Sequence, residues 1–184
     1  VFSTSLSYNL PIITRGVAWL SIQTLFIALL LVLNNPIDHL VIFHGTLVHD
    51  FFTSMVKVFL LIAALCCISA SLNYLKVERL NAFEYFILVL IAILGMMLIV
   101  SSYDLISMYL AIEMQSLSLY VLAAFKKNSA FSTEAGLKYF ILGAFSSGLI
   151  LFGSSMVYGF TGSTNFEDIS RLCTGTYSSL DTVG

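Results

Sequence analysis

Charge is scarce in this sequence. Of its 184 residues 10% are Asp, Glu, Lys or Arg and 59% are hydrophobic, whereas soluble domains carry about 25% charged residues. So few charges cannot cover a water-facing surface, and the mean hydropathy of +0.97 identifies an integral membrane protein. No basic cluster occurs beyond Lys126-Lys127 and the net charge is −2, so the electrostatic footprint of a nucleic-acid binder is missing. The two prolines, Pro11 and Pro36, both lie outside the long apolar runs. Cysteine occurs at Cys66, Cys67 and Cys173 with no CxxC or Cys/His spacing, which points to neither a disulfide framework nor a zinc site. No Rossmann glycine pattern, haem ligand or cysteine cluster appears, so no redox cofactor is expected in this chain. Residues 1–15 lack the charged n-region, apolar core and cleavage site of a signal peptide, and Val1 is not a start methionine. The sequence is expected to begin partway through a longer protein.

Long apolar runs dominate what is there. A helix needs about 20 apolar residues to cross hydrocarbon at 1.5 Å per residue, and residues 16–33, 51–75, 83–101, 103–125 and 135–159 meet that length. The punctuation between them is chemical. Residues 1–15 read as polar and turn-rich, and Asn34-Asn35-Pro36 stops the first run because proline neither continues a helix nor tolerates one just before it. Residues 34–50 read as a mixed loop whose His39, His44 and His49 are five apart. That spacing turns about 140° per step on a helix and alternates faces on a strand, so interfacial histidines are expected rather than a shared metal site. Residues 76–82 form a charged turn, Ser101-Ser102 a very short one, and Ser132-Thr133-Glu134 reads as a helix start with an acid in its first turn. Residues 160–184 read as a polar, non-spanning tail. The expectation is one all-α polytopic membrane domain with five spans.

Alternation of the spans sorts the basic residues. Arg15, Lys76, Arg79, Lys126 and Lys127 fall on one side and Arg171 alone on the other, with Lys57 and Lys138 inside spans. By the positive-inside rule residue 1 lies on the matrix or cytoplasmic side.

Four spans hold charged residues, and Glu84 stands only at the entrance of its run. Glu113 lies near the middle of its run, where a charge costs about 2.5–3.5 kcal/mol on insertion scales. On a helical wheel Ser102, Tyr109, Ser116 and Tyr120 all fall within about 60° of it, a hydroxyl stripe on an otherwise apolar helix. Two readings fit Glu113: a protonated carboxyl bonding a neighbouring helix as packing glue, or a proton-carrying group poised by burial against a nearby lysine. Asp104, at the helix mouth, reads as a solvated first-turn acid. Lys138 has Glu134 at i−4, the favourable order for a helical pair, and reads either as a paired, snorkelling lysine or as part of a proton path. Lys57, about two turns inside its run, carries the same ambiguity. The steps 143/147 and 144/148 are small-xxx-small, which lets another helix approach closely.

Two stretches carry a resemblance. The first is Leu110-Ala-Ile-Glu113-Met-Gln-Ser-Leu-Ser-Leu-Tyr120. The second runs from Glu134-Ala-Gly-Leu-Lys138 through Gly143-Ala-Phe-Ser-Ser-Gly148 to Leu151-Phe-Gly153. Together they resemble the antiporter-like membrane subunits of NADH:ubiquinone oxidoreductase, respiratory complex I, in its subunit 2 (bacterial subunit N) branch, strongly over about 76–171 and weakly before residue 47. The resemblance implies about fourteen transmembrane helices with two inverted five-helix repeats, of which these five correspond to helices two to six. It implies that Glu113 is the fifth-helix glutamate and Lys138 a sixth-helix lysine of a proton-translocation path, with Tyr109, Ser116, Tyr120, Glu134 and Lys57 in possible support. In that family the glutamate pairs with a lysine on the following broken helix, and changes in the pair couple quinone chemistry elsewhere to proton movement. The broken seventh helix and the ionisable groups of the eighth and twelfth do not occur in these residues, so a complete path is expected to need a second half from outside them.

The leading reading is a core membrane-arm subunit of H+-translocating NADH:ubiquinone reductase, holding part of a proton path but no redox group. Ubiquinone, FMN and iron–sulfur clusters are expected in other subunits of the complex. Its partners are expected to be other membrane-arm subunits and lipid, and its location the mitochondrial inner membrane or else a bacterial plasma membrane. Two alternatives remain: a subunit of a multi-component cation/proton antiporter, and a truncated, non-pumping structural subunit.

Overall fold

The computed structural model describes residues 2–35, 40–43, 45–77, 83–126 and 129–174. Among them lie helices α1 (Phe2–Asn34), α2 (Phe51–Val77), α3 (Glu84–Ser101), α4 (Leu105–Ala123), α5 (Ala130–Thr161) and α6 (Phe166–Cys173). A two-stranded hairpin, β1 (Leu40–Ile42) and β2 (Leu47–His49), joins α1 to α2. The first five helices are each long and apolar enough to cross a membrane. In hydrocarbon every backbone polar group must be satisfied within the segment, which leaves the helix as the form for such runs. Their hydroxyls obey the same constraint. Ser21 donates to the Ala18 carbonyl at 2.7 Å, Ser71 to Ile68 at 2.8 Å, and Ser118 to Met114 at 3.0 Å.

The elements differ from expectation at their ends. The first helix starts at Phe2 instead of after residue 15. Residues 2–10 hold no glycine, and the fixed φ of Pro11 is itself helical, so its missing N–H removes one ladder bond without forcing a turn. The apolar part of α1 is Thr14–Asn34. The 34–50 loop contains the hairpin, with Leu40 paired to His49 and Ile42 to Leu47; His39 and His44 lie outside the described residues. The fifth helix begins at Ala130 with Ser129 as its N-terminal cap residue, one turn before the Ser132-Thr133-Glu134 start. Ser132 instead donates across the turn to the Ala123 carbonyl at 3.0 Å. The 160–184 tail contains α6, which Asn165 caps by accepting from the Glu167 N–H at 2.9 Å.

Helices α1, α2 and α3 share an apolar core of Ala18, Leu25, Leu61, Ile68, Phe86 and Ile93. Helix α4 then packs closely on α3 because Gly95 of α3 has no side chain. A Cβ there would stand 2.9 Å from the backbone nitrogen of Gln115. Ala111 and Ser118, one turn to either side of Gln115, are buried in the same contact. Helix α5 rests on α4 at one end, where Gly136 meets Ala124; Gly136 is its one buried residue.

The Gly95 contact is backbone against backbone, so no side chain can rotate away from an added methyl. Gly95→Ala is expected to push α3 and α4 apart at a cost of about 1–3 kcal/mol. Unfolding in mild detergent measures it, and an unchanged midpoint would refute the close approach.

Candidate functional site

The site is built on α4, and α4 is held by a backbone seam. Tyr103 donates from its N–H to the Thr46 carbonyl at 2.8 Å, Leu105 to Thr164 at 3.0 Å, and Phe166 to Tyr103 at 3.2 Å. The Asn165 side-chain amide donates to the Gly45 carbonyl at 3.1 Å. The hairpin turn, the α3–α4 connection and the α5–α6 connection therefore meet at one end of the helices, as alternating spans require. Asp104 lies within this seam, paired with Asn165, and its carboxylate accepts from the Ile106 N–H at 3.1 Å as the cap of α4. It is 8% exposed. The expectation of a solvated acid is corrected: the 164–166 segment closes over the helix mouth, and the cap hydrogen bond replaces water.

Ser102 is also relocated. It is extended, with ψ at 132°, and terminates α3 by donating its hydroxyl to the Ile99 carbonyl at 2.7 Å. The polar stripe of α4 proper is thus Tyr109, Glu113, Ser116 and Tyr120. It lies roughly 100–160° around the helix from Gln115, away from the α3 contact and toward the α5 side. At its far end Tyr120 is buried. Its ring meets Tyr139 edge-on at 4.9 Å and Phe140 at 5.7 Å between centroids, and its hydroxyl end fills the space that a side chain at Gly143 would need.

Glu113 sits two turns before Tyr120 on this stripe, about 10 Å along the axis. Its Oε1 is shielded from solvent and has no hydrogen-bond partner among the described residues. Leaving such an oxygen unsatisfied costs about 1–3 kcal/mol, more if charged. Folds keep a group of this kind where it works or meets a donor from another element.

The lysines are not drawn to it. Lys138 Nζ lies 2.6 Å from Glu134 Oε1 on its own helix, with the two side chains 74% and 58% exposed. Tyr120 is thus brought against α5 beside Lys138, while Lys138 turns outward to Glu134. Lys57 of α2 lines a separate cavity beneath the hairpin, remote from the α4–α5 contact. Sequence reading missed the seam and the Tyr120–Gly143 contact. The second had a signal: a glycine in a helix beside two aromatic residues invites an aromatic partner, though only the fold names Tyr120.

Comparisons with known proteins point to the antiporter-like class of membrane subunit. Residues 102–183 match the family model described as NADH:quinone oxidoreductase/Mrp antiporter, transmembrane. NADH-ubiquinone oxidoreductase chain 2 of Marchantia polymorpha is 51% identical over 95% of this chain and 36% of its own length. NADH-quinone oxidoreductase subunit N of Paramagnetospirillum magneticum is 46% identical over 88% of this chain and 33% of its own. Among solved structures, respiratory complex I from Thermus thermophilus with bound aureothin superposes with a TM-score of 0.70. The identity is 33%, over 88% of this chain and 35% of the matched one. An archaeal membrane-bound sulfane sulfur reductase shares the fold alone, with a TM-score of 0.69 at 20% identity over 91% of this chain and 38% of that one. Along most of its length the chain is similar to proteins named NADH-ubiquinone oxidoreductase chain 2 and NADH-quinone oxidoreductase subunit N. It spans about a third of the length of these relatives.

Gly143→Ala would place a methyl where the Tyr120 ring ends, so the two positions are expected to be coupled. A double-mutant cycle with Tyr120→Leu should return a coupling energy of about 0.5–3 kcal/mol, read from detergent unfolding. Strict additivity would show that the contact carries no energy.

Proposed function

We propose that the chain forms part of a core membrane-arm subunit of proton-pumping NADH:ubiquinone oxidoreductase, and that Glu113 is a proton-accepting group in its translocation path. The observation that carries this reading is the shielded, unpartnered Oε1 of Glu113, placed mid-span on a stripe of Tyr109, Ser116 and Tyr120. At that depth a charged side chain is costly without a partner, which is where membrane proteins place proton-carrying groups. The flanking hydroxyls both donate and accept, so they can pass a proton along the stripe. Glu134 and Lys138 form a ready-made ion pair on the next helix. Loss of Lys138 from Glu134 toward an incoming anion would change the field at the α4–α5 contact. Lys57, under the hairpin, belongs to a different part of the molecule and has no place in this path.

The chain itself holds no redox group in this reading. Ubiquinone, FMN and iron–sulfur clusters belong to other subunits, and its neighbours are other membrane-arm subunits, including whatever supplies the remaining helices. The mitochondrial inner membrane is the preferred location, with residue 1 toward the matrix. A cation/proton antiporter subunit is the second reading, favoured by the family description that joins the two classes. Co-migration with NADH dehydrogenase activity, as opposed to sodium-dependent exchange, separates them.

Glu113→Gln keeps the shape and removes the exchangeable charge. In the assembled complex it is expected to lower proton pumping by about tenfold or more, within the range of a lost proton-transfer group. Proton uptake by inverted vesicles during NADH oxidation is the measurement. Unchanged pumping together with unchanged NADH–quinone turnover would remove Glu113 from the path.

A further inference from the structure

The hairpin end of the molecule holds a cation that the proton path does not use. Lys57 lies six residues into α2, about 9 Å along the axis, within a membrane-spanning stretch. It is half-buried, and it makes no hydrogen bond or ion pair with the described residues. A cation at this depth is costly unless it reaches water or meets an anion. It opens instead into a cavity of about 200 Å³ beneath the hairpin, whose polar lining among the described residues also includes Asn35, His49 and Ser101. His49 is held by its ring Nε2, 3.3 Å from the Ser54 hydroxyl, which leaves Nδ1 uncommitted by that contact.

The cavity is amphipathic in a particular order. Leu40 and Ile42 of β1, with Leu47 and Val48 of β2, form its apolar wall. The whole strand and the residue after it, Leu40, Val41, Ile42 and Phe43, are exposed. An exposed all-apolar edge strand is an aggregation hazard in water but suits the boundary between headgroups and acyl chains. An ammonium beside an imidazole and two neutral hydrogen-bonding groups suits a phosphate. The volume accommodates a phosphate and its ester oxygens, not a whole lipid, so acyl chains would leave over the apolar strand.

We propose that this cavity is a phospholipid site, with Lys57 holding the phosphate of an anionic phospholipid and β1 lying along its proximal acyl chains. The site lies apart from Glu113 and is independent of whether that residue carries protons. It assigns Lys57 to lipid binding instead of proton relay. A free inorganic anion, or a further segment of the protein filling the cavity, are the competing occupants.

The test uses the assembled complex in vesicles of phosphatidylglycerol doped with an analogue that is photoreactive near its glycerol. Illumination is expected to label the peptide spanning the hairpin and the start of α2. Lys57→Met should cut that label by about fivefold, the worth of one basic residue near a headgroup surface, while Lys57→Arg retains it. Leu40→Trp, on an exposed strand, should narrow the cavity and lower the label even if Lys57→Met fails to assemble. Labelling that is absent, or indifferent to both Lys57→Met and Leu40→Trp, overturns the site. Loss of label on adding inorganic phosphate at constant ionic strength overturns the lipid in favour of a free anion. A crosslink from the cavity to another protein segment overturns it in favour of that segment.

Discussion

The backbone seam at one end of the helices is the constraint on which the candidate site depends. Helix α4 could slide along α3, because the Gly95 contact fixes separation rather than depth. The bonds from Tyr103 to Thr46 and from Leu105 to Thr164 remove that freedom, and the Asp104 cap satisfies a first-turn N–H that would otherwise need water. Depth matters because a carboxyl at the boundary would reach water, whereas one at mid-span meets only what neighbouring helices supply. Seen this way, Asp104 and Asn165 do not handle protons. They set where Glu113 sits.

Much of this was legible in the sequence, for a physical reason. Hydrocarbon enforces a single backbone form and a minimum length, so five apolar runs could become little other than five helices. Glu113 stood out because charge in such a run has few excuses. The pair of Lys138 with Glu134 followed from i,i+4 geometry alone. What escaped was whatever depended on contacts far apart in sequence. Asp104 looked solvated because nothing local says that residues 164–166 return to cover it. Ser102 was placed on the stripe because a wheel assumes one continuous helix, and the chain instead extends there to pair with Leu47. The first 14 residues of α1, residues 2–15, were missed because polar hydroxyl residues and one proline imitate a loop when read without their hydrogen bonds.

The two faces of α4 explain how one helix can be both rigid and responsive. Toward α3 it presents Ala111, Gln115 and Ser118 against Gly95, a close contact of the kind small residues permit between membrane helices. On the other side it presents the stripe, where the single well-packed anchor is Tyr120 against Tyr139, Phe140 and Gly143. Between anchor and seam, Glu113 is shielded but uncommitted. A carboxyl locked by several local donors would have no oxygen left for a donor from another element.

Glu113 and Glu134 make the contrast within one molecule. Glu134 is exposed and has a lysine one turn away, and an exposed pair of this kind is worth about 0.3–0.5 kcal/mol, so it can open at little cost. Glu113 has a shielded oxygen and no partner among the described residues, so any cation reaching it would interact strongly in a low-dielectric setting. The two acids therefore differ in kind: one is held by an exposed pair on its own helix, the other has no local cation beside it among the described residues. Tyr120 touches the helix of the first and shares the stripe of the second.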